Sequence, residues 1–306
     1  VFWVKITYFG SHSYIMKFIS YIFIRLLVFI FSILPFRVLY LFSDFIKWVL
    51  KDLIKYRTHV VEDQLRKCFP HMSDQEIENI KDENYRNLAD LVVESIKGFS
   101  MSEDALKTRW KLINAEKIEA FLKQGRPVIV NTAHYNNFEW GTLAFALQSH
   151  YPVKGVYKPL TNHFIENYLK RNRAKTGMEL LPMQNVGQKI SQFKEQASIF
   201  IFISDQSPSK VEKAHWINFF GHETAFIHGV GQYSSEYNIP VFYCDIQRVK
   251  RGYYEATLTE LVAEPKLSSA YEITRTFAAK VEQVIVQKPA PWLWTHKRWK
   301  HRRYPE

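Results

Sequence analysis

"PVIVNTAHYNNFEWGTLAFALQ", residues 127–148, holds the change of texture on which the fold reading turns. A continuous apolar run (127–133) gives way to a polar turn and then to apolar residues at helical spacing. That reads as a buried strand, a loop and a helix. The texture recurs downstream. "VKGVYK" (153–158), "MELLPM" (178–183), "SIFIFISD" (198–205) and "PVFYCDIQRV" (240–249) read as strands, and "YYEATLTEL" (253–261) as a more alternating one. "NHFIENYLKRNRAKTG" and "VGQKISQFKEQ" between them read as helices. Such alternation predicts an α/β fold, a mixed sheet covered by helices.

Upstream, residues 56–125 read as helical. "SDQEIENIKDENYRNLADLVVESIKGF" opens with Ser73 and Glu76 at capping-box spacing. Those helices are expected to pack on the sheet, so 56–306 is read as one domain, helical over 56–125 and α/β over 126–306. Residues 1–55 differ. "FISYIFIRLLVFIFSIL" (18–34) carries one charge, Arg25, and ends at Pro35. A bilayer span needs about twenty apolar residues. A central arginine costs roughly 2.5–3.5 kcal/mol on insertion scales. The next stretch, "FRVLYLFSDFIKWVLKDLIKY", alternates apolar and basic residues as an interfacial helix would. No small-residue cleavage site follows, which argues against a secretory signal peptide. Residues 1–55 are therefore read as a membrane anchor, either a short span or a surface-lying helical pair.

The formal net charge of +11 points to an anionic partner: nucleic acid, phospholipid headgroups or an acidic carrier protein. The anchor favours a phospholipid surface, and no nucleic acid is expected. Cys68 and Cys244 are too few for a disulfide framework or a four-ligand zinc site, and they fit a reducing compartment. P-loop, GxGxxG and GxSxG patterns are absent, so nucleotide hydrolysis, dinucleotide redox chemistry and the usual serine hydrolase lack their signatures.

His134 with Glu139 is the candidate catalytic pair. Spacing alone selects nothing, because His-x4-Glu recurs at His71/Glu76 and His301/Glu306. Glu76 belongs to the capping box, and Glu306 lies in a charged tail. His134 alone follows a buried-looking strand, where open α/β sheets collect ligands. Residues five apart on a helix are about 140° apart, so the pair meets only if His134 sits in the loop and Glu139 in the first helical turn. A glutamate accepting from one ring nitrogen would orient the imidazole and leave the other nitrogen to take a proton. The bland alternative is a loop histidine beside a glutamate that favours a helix N-terminus. No third residue completes a metal site. Asp205 and Gln206 end another strand, as site residues or as a turn start. Lys170, Arg171, Arg173 and Lys175 form either a solvated helix face or a phosphate clamp. "WLWTHKRWKHRR" mixes tryptophans with basic residues, a composition suited to a membrane interface or an anionic headgroup.

"LPFRVLYLFSDF", "LRKCFPHMSDQE", "NTAHYNNFEWG", "GVYKPLTNHFIENYLKRNRAKTG", "FISDQSP" and "PWLWTHKRWK", in this order, resemble segments of the lipid A biosynthesis acyltransferases, the late acyltransferases of Gram-negative bacteria. The resemblance implies a glycerolipid-acyltransferase-like fold on the cytoplasmic face of the bacterial inner membrane. It implies transfer of a fatty acyl chain from acyl carrier protein to a hydroxyl of a lipid A precursor, with no cofactor and no metal, since a thioester is already activated. The family's His-x4-Asp/Glu motif maps onto His134 as general base and Glu139 as its holder. The paired arginines map onto Arg171 and Arg173, and the aspartate-glutamine element onto Asp205 and Gln206, as substrate-binding residues. Backbone N–H groups at the helix start after His134 would supply part of the oxyanion stabilisation. The family segment often continues as Asp-Gln-Asp or Asp-His-Asp, whereas this chain has Asp205-Gln206-Ser207-Pro208. Acceptor identity therefore stays open among lipid A, an aminolipid, a glycolipid and a lysophospholipid, as does a catalytically inactive membrane-binding homologue.

Overall fold

The computed structural model describes residues 14–303. Residues 1–13 and 304–306, and with them the first part of the segment read as an anchor and Glu306, lie outside the described residues. In chain order the strands are β1 (Trp110–Leu112), β2 (Val128–Thr132), β3 (Val153–Tyr157), β4 (Met178–Pro182), β5 (Ile199–Ile203), β6 (His215–Phe219), β7 (His222–Phe226), β8 (Val241–Lys250) and β9 (Tyr253–Val262). Seven form one sheet in the order β1-β9-β8-β2-β5-β3-β4, and β6 with β7 makes a separate hairpin. All pairs in the large sheet are parallel except the β8–β9 hairpin, so the sheet is mixed, as expected.

β2 lies at the centre and is buried along its whole length. Its alternate residues serve two cores. Val128 and Val130 pack with Trp110, Phe138, Trp140 and Phe242, while Ile129 packs with Phe200, Val230, Val241 and Ile273. A strand covered on both faces needs apolar side chains on both, which is why 128–130 reads as an unbroken run.

The helices are α1 (Tyr14–Ile33), α2 (Phe36–Trp48), α3 (Thr58–Cys68), α4 (Asp74–Lys97), α5 (Glu103–Arg109), α6 (Glu116–Lys123), α7 (Phe138–Ala144), α8 (His163–Ala174), α9 (Val186–Phe193), α10 (Gly229–Tyr237) and α11 (Ala270–Gln287). α5, α6 and α7 cover one sheet face; α9, α10 and α11 cover the other. α4 starts with the expected capping box: the Glu76 carboxylate accepts from the Ser73 N–H and the Ser73 hydroxyl accepts from the Glu76 N–H. The His71/Glu76 match is therefore helix-end geometry.

α1 is long and apolar enough, by length and composition, to cross a bilayer. Its inner side nevertheless packs on the body. Ile24 and Val28 meet Ile165 and Leu169 of α8, and Phe31 meets Leu39 and Val93. Arg25 hydrogen-bonds the Tyr21 hydroxyl at 2.9 Å and lies 5.0 Å from the Tyr168 ring centroid. The Lys97 ammonium donates to the carbonyls of Phe31, Ser32 and Leu34, closing the α1 C-terminus where a cation suits the dipole. Pro35 ends α1 and precedes α2. The polar side of α2 docks on α4 through Tyr40–Glu94, Ser43–Asp90 and Lys47–Asp82, and Leu41, Phe42, Phe45 and Trp48 stay exposed. Ile15, Ile19, Phe23, Leu26, Phe29 and Ile33 extend that apolar face along α1.

Three strands depart from the sequence reading, and α10 and α11 lie where it placed no helix. β1 lies inside the stretch read as helical and pairs in parallel with β9. The β6–β7 hairpin lies where a loop after Asp205 was expected. Its turn places both Phe220 (φ 54°) and Gly221 (φ 75°) in the left-handed region. Phenylalanine there is uncommon, so the usual Asn-Gly or Asp-Gly signal is missing.

Candidate active site

β2 and β5 are parallel neighbours with Thr132 paired to Ile203. Two residues beyond that pair, on the same sheet edge, stand His134 and Asp205. Their side chains meet at 2.6 Å, His134 Nδ1 to Asp205 Oδ1, and both residues are buried. A carboxylate only accepts, so Nδ1 carries the proton, and Nε2 is the nitrogen left to take or give a second one. Asp205 also accepts from the Trp292 indole N–H at 2.8 Å. Burial alone would push its carboxyl up, but the charge and hydrogen bonds of His134, with the Trp292 bond, outweigh that and hold it below the usual range.

The orienting bond on His134 thus comes from Asp205, not from Glu139 as the motif implied. Glu139 sits in the first turn of α7, and its Oε2 accepts from Arg173 Nη2 at 3.2 Å. Burial would raise this carboxyl too, yet the Arg173 charge, helped by nearby His134, holds it low. Glu139 therefore faces the histidine electrostatically while its hydrogen bond goes to Arg173. The physical reason is the chain path. The left-handed Asn136 (φ 50°) turns the loop sharply, its N–H donates to the Pro291 carbonyl and its side chain to the Ile246 carbonyl. His134 is thereby delivered to β5 rather than to α7. The Phe138 ring packs edge-on against the imidazole, centroids 4.8 Å apart.

Arg171 and Arg173 do not act as a pair. Two positions on a helix are about 200° apart; Arg173 meets Glu139, and Arg171 is exposed. Gln206 follows Asp205, and its amide nitrogen is buried with no acceptor among the described residues, which leaves a donor at this sheet edge. The Tyr135 and Asn136 N–H groups are taken by the Ala133 and Pro291 carbonyls, so neither serves an oxyanion.

The C-terminal segment is the part that sequence reasoning misplaced. Trp292 and Trp294 are buried rather than at a membrane interface. Leu293 N–H donates to the His134 carbonyl, Trp292 bridges to Tyr135, and the Gln64 amide holds the Trp294 carbonyl. The segment is a strap that fixes the histidine loop and supplies the second donor to Asp205. His296 Nε2 accepts the Ser207 N–H, and burial pushes its imidazole down to about 3, so it stays neutral. Arg298 is fully buried, lies 4.2 Å from the Phe226 ring centroid and donates to the Ala225 carbonyl. Burial pushes its guanidinium down to about 9 against the opposing pull of Asp205. The clustering of Trp, His and Arg in 292–298 was the available signal; its position under the site was not readable locally. Among the described residues no cluster of three or more His, Cys, Asp or Glu is arranged to hold a metal.

A family profile described as bacterial lipid A biosynthesis acyltransferase matches residues 9–301. The chain is 22% identical over 274 residues to a lipid A biosynthesis palmitoleoyltransferase of Escherichia coli (strain K12), covering 88% of this chain and 87% of that protein. It is 21% identical over 283 residues to a lipid A biosynthesis lauroyltransferase of the same strain, with the same coverage. A lipid A biosynthesis acyltransferase of Haemophilus influenzae is 21% identical over 249 residues, covering 80% of this chain and 78% of that protein.

Proposed function

The chain belongs to the bacterial lipid A biosynthesis acyltransferase family, and from that premise we propose that it is a membrane-anchored enzyme moving a fatty acyl chain from acyl carrier protein to a hydroxyl of a lipid A precursor. The reading rests chiefly on one observation: a buried histidine at the carboxyl edge of the sheet, with Nδ1 committed to a carboxylate.

In this scheme His134 Nε2 takes the proton of the acceptor hydroxyl as its oxygen attacks the thioester carbonyl carbon. Asp205 stabilises the imidazolium that forms, and the Glu139 carboxylate adds to that field. The carbonyl oxygen gains the negative charge, and the unpartnered Gln206 amide is assigned as its donor. Collapse breaks the carbon–sulfur bond, and the leaving thiolate recovers the proton from His134. Ester and thiol are the products, so the step draws on no cofactor. Arg171, which is exposed, is assigned to acceptor phosphate, and Arg173 to holding Glu139.

The apolar outer faces of α1 and α2 support an anchor over residues 1–55, with 56–306 as the catalytic domain. The docking of α1 along its length on α4 and α8 favours helices lying in the membrane surface over a free-standing span. The excess of basic residues suits both a phospholipid surface and an acidic carrier protein. Free Cys68 and Cys244 fit the cytoplasmic face of the inner membrane.

Mass spectrometry of whole lipid extracts from a deletion strain, complemented with wild type or with His134→Ala, tests the reading. Lipid A should lose one acyl mass in the deletion, and only wild type should restore it. The turn Asp205-Gln206-Ser207-Pro208 departs from the family's usual continuation and favours a second reading, the same chemistry on another amphiphile. In that case lipid A stays intact and a different lipid class loses the chain.

A further inference from the structure

Glu94 of α4 is fully buried and lies outside every sequence motif of the site. Its Oε2 accepts from the Asn137 amide at 2.6 Å and from the Tyr254 hydroxyl at 2.7 Å, and its Oε1 accepts from the Tyr40 hydroxyl at 2.7 Å. Its backbone carbonyl accepts the Trp140 indole N–H at 2.8 Å. Asn137 in turn caps α7 by accepting the Trp140 backbone N–H at 2.8 Å. One residue therefore grips both sides of Glu139, three and six positions beyond His134.

A buried carboxylate is costly unless every oxygen is satisfied. Here burial pushes the carboxyl up, and the charge of Arg248 opposes it most; Arg248 Nη2 also donates at 3.0 Å to the Tyr254 hydroxyl that meets Glu94. The two oxygens together meet three partners, the Asn137 amide and two tyrosine hydroxyls, so neither oxygen is left unsatisfied. Such a group contributes geometry more than net stability, because an apolar side chain would fill the space without the desolvation cost. Tyr40, the third donor, belongs to α2, whose opposite face is the exposed apolar one.

We infer that Glu94 is a positioning residue: it holds Asn137 and Trp140 so that the loop from His134 to Glu139 keeps its shape, and through Tyr40 it ties that loop to the apolar-faced helix α2. The kinetic part of the test rests on the acyl-transfer reading; the structural part does not.

The full chain is purified in detergent and compared with Glu94→Gln, Tyr40→Phe and Ser43→Ala. Gln keeps the size of Glu94 but loses one acceptor oxygen, so the contacts to Asn137, Tyr254 and Tyr40 must rearrange. kcat for transfer from an acyl thioester to the lipid acceptor should fall on the order of tenfold to a hundredfold in Glu94→Gln, with KM changed by about twofold or less. Hydrogen exchange of the amides of residues 138–141 should speed up in the same variant. Tyr40→Phe should shift both readouts in the same direction by less, and its effect should vanish in the Glu94→Gln background. Ser43→Ala breaks the neighbouring α2–α4 contact to Asp90 and should lower the melting temperature without moving either readout. A Glu94→Gln protein that melts earlier but keeps wild-type kcat and wild-type exchange at 138–141 overturns the inference. Should that variant fail to fold, Tyr40→Phe and Tyr254→Phe decide by the same criteria. Were the wild type to transfer no acyl chain, the functional reading would fall, and the exchange comparison would still decide the positioning role.

Discussion

At the scale of single residues, the site turns on which carboxylate meets His134. Asp205 accepts from Nδ1 at 2.6 Å, so Asp205→Asn should leave the fold in place and offer the wrong partner to that nitrogen. Steady-state kinetics should then show a loss within the roughly 10²–10⁴-fold range of general-base catalysis, and His134→Ala should be at least as severe. A pH effect follows with a defined sign. The Asp205 carboxyl is held below its usual value in the folded state despite burial, chiefly by His134. Its contribution to stability is therefore present above the ordinary carboxylate pKa of about 3.9 and is lost as pH falls through the lower folded value. Melting curves of wild type should drop more steeply over that acidic range than those of Asp205→Asn. The arginines separate likewise. Arg173→Ala strands Glu139, which is mostly buried, and should cost activity and on the order of 1–3 kcal/mol of stability. Arg171→Ala should leave stability within about 0.5 kcal/mol of wild type and act on acceptor binding alone. The sequence marked His134, Glu139, Arg173 and Asp205 as site residues but paired them along the chain, where the structure pairs His134 with Asp205 at two strand ends and Glu139 with Arg173 between two helices.

At the scale of elements, periodicity carried most of the reading. β2, β3, β4, β5, β8 and β9 and the helices from α3 to α9 were legible because a strand buried on both faces and a helix buried on one have different apolar patterns. What escaped was the three-residue β1, a hairpin whose turn uses Phe220-Gly221, and the helices α10 and α11, for which no reading was made. One element contact is tight enough to test directly. A Cβ on Gly231 would overlap the Ala270 carbonyl and stand 2.6 Å from Thr274 Oγ1, where α10 crosses α11. Gly231→Ala should push the two helices apart and cost about 1–3 kcal/mol, read as a lower denaturant midpoint. Nothing in the sequence distinguishes this glycine from one in a loop, because the reason for it, Ala270 and Thr274 of α11, lies far along the chain.

At the scale of the whole molecule, α1 and α2 present one apolar surface, and Ile19, Phe23, Phe29, Leu41, Phe45 and Trp48 are all exposed on it. An apolar face this extensive marks a membrane or interaction surface. The purified chain should float with anionic phospholipid vesicles, retaining an apolar component of binding at high salt. Replacing Leu41, Phe45 and Trp48 together with serine should weaken flotation while the melting temperature holds, since these side chains touch little of the core. Retention of full vesicle binding would remove α2 from the anchor. The sequence by itself determined the α/β class, the type and order of most elements, the apolar N-terminal segment and the family, because these depend on local periodicity and on ordered motifs. Only the tertiary structure decided that Asp205 holds His134 across 71 residues, that Glu139 belongs to Arg173, that 292–298 is a buried strap, and that Glu94 lies under the loop. Those contacts follow from strand order, with β5 beside β2, and from helices docking across the sheet edge. The free energy that selects such an arrangement is spread over the whole core, so no short stretch of chain records it.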